Sequence, residues 1–124
     1  MQTRKTKIIL YGADAPDAAL KQALQQLFNL KTIDKDVELS NFIARNGGDL
    51  ILWEILHTEH SEVNSIRLIK LKFPEIKIII INGGSGTKIA AELLTAGASD
   101  IFPRPFDNDL LIDRIIALLR IAND

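Results

Sequence analysis

Glu54 closes the run Leu50-Ile51-Leu52-Trp53, an ionisable group carried out on four apolar residues. A carboxylate in that place either marks where a buried strand meets water or stands in a site. His57, Glu59 and His60 follow close behind, and such a set could ligate a metal ion. Loop histidines are more often solvated and idle, and no fourth ligand is at hand, so no metal site is expected. Further on, Gly83, Gly84 and Gly86 of "NGGSGTK" (82–88) free the backbone to wrap an anion ahead of a helix. This loop is the basis of an alternative reading, a small-ligand or nucleotide-binding domain using Gly83–Gly86. The phosphate-loop order Gly-x-x-x-x-Gly-Lys is absent, however. The plainer reading is a strand-to-helix loop with Ser85 or Thr87 as the cap. No nucleophile–base pair is apparent, so the chain is not expected to be an enzyme.

The elements that must position these groups are legible as runs and periods. "KIILY" (7–11), "DLILW" (49–53), "KIIII" (77–81) and "DIF" (100–102) are apolar without alternation, as strands covered on both faces are. "LKTI" (30–33) alternates and suits an edge. Between them lie segments with helical spacing. Leu20, Ala23, Leu24, Leu27 and Phe28 recur at three- and four-residue steps, with Pro16 placed for a first turn. A second helix opens on Asp36 as cap, carries Val37, Phe42 and Ile43, and stops at Asn46-Gly47-Gly48. Val63, Ile66, Ile69 and Phe73 mark a third that Pro74 closes, and 87–97 a fourth ending in glycine. A fifth starts on Asp107 and lines up Leu111, Ile115, Leu118 and Leu119. Strands joined by helices run parallel, because each crossover returns the chain to the same end of the sheet. The expectation is one α/β domain over 1–124: a doubly wound, flavodoxin-like, five-stranded parallel sheet of order 2-1-3-4-5 with helices on both faces.

Composition narrows the function classes. The 124 residues are 47% hydrophobic, enough for one core, and 15 basic residues against 16 acidic ones leave no charge to attract nucleic acid or anionic lipid. The apolar runs are too short to span a bilayer. No secretion leader is seen and cysteine is absent, which suits a cytoplasmic location. Ligands of such a sheet gather beyond the carboxyl ends of its strands. The residues to weigh are therefore Gly12 to Asp14, Glu54 to Glu59, Asn82 to Lys88 and Pro103 to Phe106.

"PEIKIIIINGG" followed by "AELLTAGASDIFPRPFDNDLLIDRIIALL", with "GGDLILWE" before them, resembles the receiver domain of response regulators. The resemblance implies the flavodoxin-like fold and a part in two-component or phosphorelay signalling. In that family the strand corresponding to "DLILWE" ends in an Asp that accepts a phosphoryl group, so Glu54 is the phosphoacceptor equivalent. The family's magnesium-holding acidic pair falls on Gly12 and Ala13 or, slipped by one, on Ala13 and Asp14. The switch hydroxyl falls on Asn82, the coupled aromatic on Ile101, and the Lys on Arg104, followed by Pro105, expected to be cis. Every chemical position has changed while the scaffold motifs persist.

These departures point to a pseudo-receiver. Phosphoryl transfer needs an in-line acceptor and a metal to neutralise charge, and magnesium wants carboxylate oxygens at short distance. Here at least one carboxylate is missing and the acceptor is a methylene longer. Magnesium binding is therefore doubtful, and no other cofactor is implied. Glu54 and Arg104 either pair directly, the guanidinium offering a two-bond fork that Lys lacks, or stand as separately solvated strand-end charges. The resemblance implies a signalling protein partner, a histidine kinase or an output protein. It also implies that the face of the fourth helix, fifth strand and fifth helix, near Lys88 to Leu94, Ile101 and Asp107 to Arg120, contacts either a partner or a second copy in a homodimer.

Overall fold

A computed structural model describes residues 6–12, 18–55, 60–82, 87–104 and 106–123. The strands are β1 (Lys7–Gly12), β2 (Asn29–Ile33), β3 (Leu50–Ile55), β4 (Lys77–Asn82) and β5 (Asp100–Pro103). The helices are α1 (Ala18–Leu27), α2 (Asp36–Asn46), α3 (His60–Lys72), α4 (Thr87–Ala96) and α5 (Asn108–Asn123). All strand pairs are parallel and the order is β2-β1-β3-β4-β5, the flavodoxin-like arrangement expected from the alternation of runs. Among the described residues no helix is long and apolar enough to cross a membrane.

The pleat sorts the core into two halves. Ile9, Tyr11, Ile51, Trp53, Ile78 and Ile80 face α2, α3 and α4, where Leu39, Ile43, Val63, Ile66, Ile69 and Leu93 cover them. Ile8, Leu10, Leu50, Leu52, Ile79 and Ile81 face α1 and α5, covered by Leu20, Leu24, Leu111, Ile115 and Leu119. Both faces being dry, the central strands need apolar residues at every position, which is why their runs do not alternate. Burying each Leu or Ile side chain contributes about 1.5–3 kcal/mol. In β2 only Ile33 is buried, as an edge strand requires.

Several local expectations are corrected. The run 49–53 ends too early: β3 continues through Glu54 and Ile55, and every residue from Leu50 to Ile55 is buried. Glu54 therefore does not mark where water begins. Asp36 is the first helical residue of α2 and Lys35 is its cap, without a side-chain cap bond. Val37 is not on the core stripe; it is 73% exposed, and Leu39 with Ile43 takes that role. Gly47 does end α2, at φ +72° and ψ −173° and with its N–H bonded to the Ile43 carbonyl, a positive-φ conformation that glycine reaches without strain. Asp107 does cap α5, its Oδ1 accepting the Asp109 N–H at 2.8 Å.

Candidate functional site

Strand register brings the ends of β1, β3, β4 and β5 to one edge. Gly12 pairs with Glu54, Ile55 with Asn82, and Asn82 with Pro103. Glu54 shares the pleat of Leu50 and Leu52 and so turns toward the α1 and α5 side. Its side chain is only 3% exposed, and a lone carboxylate there would be costly. The partner is Arg104, just after β5, whose Nη2 meets Glu54 Oε2 in an ion pair. β3 and β5 are two strand spacings apart, about 10 Å, so both side chains must extend over the end of β4 to touch.

Arg104 is held from its other side as well. Its guanidinium carbon lies 5.8 Å from the centre of the Phe106 ring, and Phe106 stands edge-on to Phe102 at 5.8 Å. Phe102 and Phe106 both pack on the α1/α5 half of the core. Sequence reasoning did not single out this aromatic support, although Phe106 stands in the "RPF" stretch. The two-bond fork is only partly realised. Arg104 Nε is buried and has no acceptor among the described residues, so the side-on arrangement using Nε is not formed. Arg104 keeps 30% of its side chain exposed, leaving water one route to the pair.

Gly12 adds a steric limit to the chemical one. It sits at φ +114°, and a Cβ built there would overlap the Glu54 carbonyl oxygen. No residue with a side chain fits this strand end as it stands, so a carboxylate at position 12 is excluded by contact as well as by sequence. A magnesium ion at this edge would need several hard oxygen ligands. Of the residues described, Glu54 is already neutralised by Arg104 and Gly12 offers no carboxylate. Among the described residues at this edge, Glu54 alone offers a carboxylate.

The remaining sequence-derived positions divide clearly. Ile101 pairs with Ile80 and packs against the α2–α4 half of the core, so the sheet stands between it and the Glu54–Arg104 contact. Asn82 ends β4 at the site edge, its side chain outside the described residues. Ala13, Asp14, His57, Glu59, the Gly83–Gly86 loop and Pro105 also lie outside them, as does the side chain of His60. Among the described residues no group of three or more His, Asp or Glu comes together.

One buried polar contact was not anticipated. Trp53, 1% exposed, donates its indole N–H to Glu62 Oε2 at 3.0 Å, and Tyr11 meets the indole edge-on at 4.7 Å. Glu62 lies in the first turn of α3, where the helix dipole favours a negative charge. A tryptophan deep in an apolar run signals a need for an acceptor; nothing in the sequence says which acid supplies it.

No family model matches the chain. Among curated proteins it is similar to the cell cycle response regulator CtrA of Brucella ovis, 28% identical over 109 residues, which cover 84% of this chain and 47% of the relative. CtrA of Brucella anthropi matches to the same extent. The chain thus spans about half the length of these curated relatives, 47%. Among solved structures, the CheY-like response regulator receiver domain protein from Methanospirillum hungatei superposes with a TM-score of 0.84 at 19% identity, covering 96% of this chain and 97% of that one. A response regulator from Thermotoga maritima gives 0.81 at 24% identity, covering 94% and 98%. At such identities the structures establish the fold.

Proposed function

We propose that this chain, which resembles response regulators in sequence and has the receiver fold, is a pseudo-receiver: a signalling domain held in one state by Glu54 and Arg104 and read out by protein contact. The observation that carries the reading is the ion pair itself. In the family, the Asp at the place of Glu54 is already ionised and gains further charge and reach on phosphorylation, and the place of Arg104 supplies a cation. Here the carboxylate is a methylene longer and the cation is already engaged with it.

Two features support the loss of ordinary phosphorylation. The acceptor oxygen is buried against a guanidinium, so a phosphodonor cannot approach it in line without breaking the pair. Of the described residues at the site edge, moreover, Glu54 alone offers magnesium a carboxylate. With no transfer chemistry left, the domain acts as a docking module and not as an enzyme. Its partners are signalling proteins, a histidine kinase or an output protein, and a second copy of the chain would meet it through α4, β5 and α5.

Incubation with acetyl phosphate and magnesium, followed by intact-mass measurement, tests this directly. No adduct is expected, and titration with magnesium and beryllofluoride should leave the amide resonances of Gly12, Glu54 and Arg104 unmoved. A stable acyl-phosphate on Glu54 would overturn the reading.

A further inference from the structure

The α2–α3 side of the molecule carries apolar surface that its own fold leaves uncovered. A half-open cavity of about 280 Å³ lies between the two helices, lined by Leu39, Ser40, Trp53, Leu68, Ile69 and Lys72 among others. Its size is just below the usual range for small-ligand sites, about 300–1,000 Å³, and suits one inserted side chain better than a whole cofactor. The apolar surface also continues beyond it. Of the six exposed large apolar residues described, three belong to these two helices: Val37 at 73%, Leu68 at 59% and Leu71 at 72%. Leu68 and Leu71 are one turn apart on α3, so they form a short ridge beside the cavity.

Two described cations flank the ridge, in different settings: Lys72 lines the α2–α3 cavity, whereas Arg67 lines the adjoining α3–α4 cavity together with Glu92. Arg67 donates to Asn64 Oδ1 at 2.9 Å and Lys72 to Ser40 Oγ at 3.3 Å, and among the described residues neither forms an ion pair with a carboxylate. The acid near the upper end, Glu62, is committed to the Trp53 indole. A surface of leucines beside the Lys72 ammonium complements an apolar stripe bordered by carboxylates. An amphipathic helix presents that pattern, seating one anchor in a groove with its neighbours on the rim.

We infer that the α2–α3 groove docks an acidic amphipathic helix of a partner protein, one apolar side chain of which enters the cavity over Trp53, Leu39 and Ile69 while its carboxylates meet Lys72. The inference rests on the domain's being a docking module, and it names the surface and the chemistry of what docks. It places that contact away from α4, β5 and α5.

Trp53 makes the test direct, because it lines the cavity and is the only tryptophan in the chain. The probe is a synthetic alanine-based helical peptide with leucines at three- and four-residue steps, bordered by glutamates; the control carries lysines in their place. The glutamate peptide should shift Trp53 emission saturably and move amide resonances of α2 and α3. The control peptide should bind at least tenfold more weakly. Leu68→Glu should weaken the glutamate peptide at least tenfold and Lys72→Glu about threefold; both sites are exposed, and unchanged far-ultraviolet dichroism would show that both variants fold. No saturable change, equal binding of the two peptides, or shifts confined to α4 and α5 would overturn the inference. So would decanoate alone reproducing the Trp53 change, or a dimer that Leu68→Glu dissociates, since the occupant would then be a small acid or a second copy. The acetyl phosphate experiment is independent: an adduct there would sink the pseudo-receiver reading and leave the peptide result interpretable.

Discussion

β5 carries an arginine–carboxylate pair at each end. At its start, Asp100 Oδ2 meets Arg114 Nε at 2.7 Å with the side chains 34% and 44% exposed. Just past its end, Arg104 meets Glu54, whose side chain is 3% exposed. The chemistry is the same and the surroundings are not. Water can replace either member of the first pair at little cost, so the contact contributes about 0–1 kcal/mol. At the second, water barely reaches the carboxylate, and the arginine is what makes its burial tolerable. An ion pair is consequential here through what its loss would strand.

Removing one partner of each pair should expose the contrast most sharply. Arg104→Ala is expected to destabilise the domain by about 3 kcal/mol, the lower end for a buried pair because Arg104 is itself partly wet; urea unfolding measures it. Equal losses for Arg104→Ala and Arg114→Ala would break the comparison. Replacing both residues, Glu54→Met with Arg104→Met, should recover most of that loss, leaving about 1 kcal/mol or less, since no charge is then left buried. Arg104→Lys should cost about 1 kcal/mol: the side-on fork is not formed, so a single charged donor replaces most of what the guanidinium does. Arg114→Ala should cost about 0.5 kcal/mol, and raising the salt concentration should erase even that.

The smallest effect concerns Lys70, a cation with no acidic partner among the described residues. Burial, and behind it the charge of Lys77, holds the Lys70 ammonium below the ordinary lysine pKa of 10.5. The folded state therefore binds this proton less tightly than the unfolded chain does. The resulting cost is fully present below the lowered pKa and is relieved as pH rises from there toward 10.5. Stability should climb slightly across that alkaline window, and Lys70→Met should flatten the climb. The variant also loses the bonds from Nζ to the Pro74 and Ile76 carbonyls, both at 2.9 Å, for a net change within about 1 kcal/mol at neutral pH.

Much of this was legible in the chain because burial on two faces leaves an unmistakable trace. "KIIII" and "DLILW" have no polar position to spare, and that alone implies helices on both sides. Charge and place allowed Glu54 and Arg104 to meet once the strand order was in hand, but left separate solvation equally open. The form of their contact was not legible: Nε engagement depends on rotamers set by Phe102 and Phe106, which no spacing rule reports. The end of β3 was misplaced because a charged residue ordinarily signals solvent, and only a partner two strands away lets Glu54 stay inside. Val37 was misassigned because an apolar residue at a helix start looks alike whether it faces the core or water. The link from Trp53 to Glu62 needed the rotation of α3 over the sheet, a tertiary quantity.

The backbone at Gly12 has a bearing on any attempt to turn the domain back toward phosphate chemistry. Exchanging Glu54 for Asp and Arg104 for Lys is a matter of two side chains, each tolerated by the space around it. Placing an acid at position 12 is not, because the first atom of any side chain lands on a neighbouring carbonyl. Re-engineering would have to reshape the end of the first strand before recruiting a metal, and single-residue grafts should accumulate damage without gaining function.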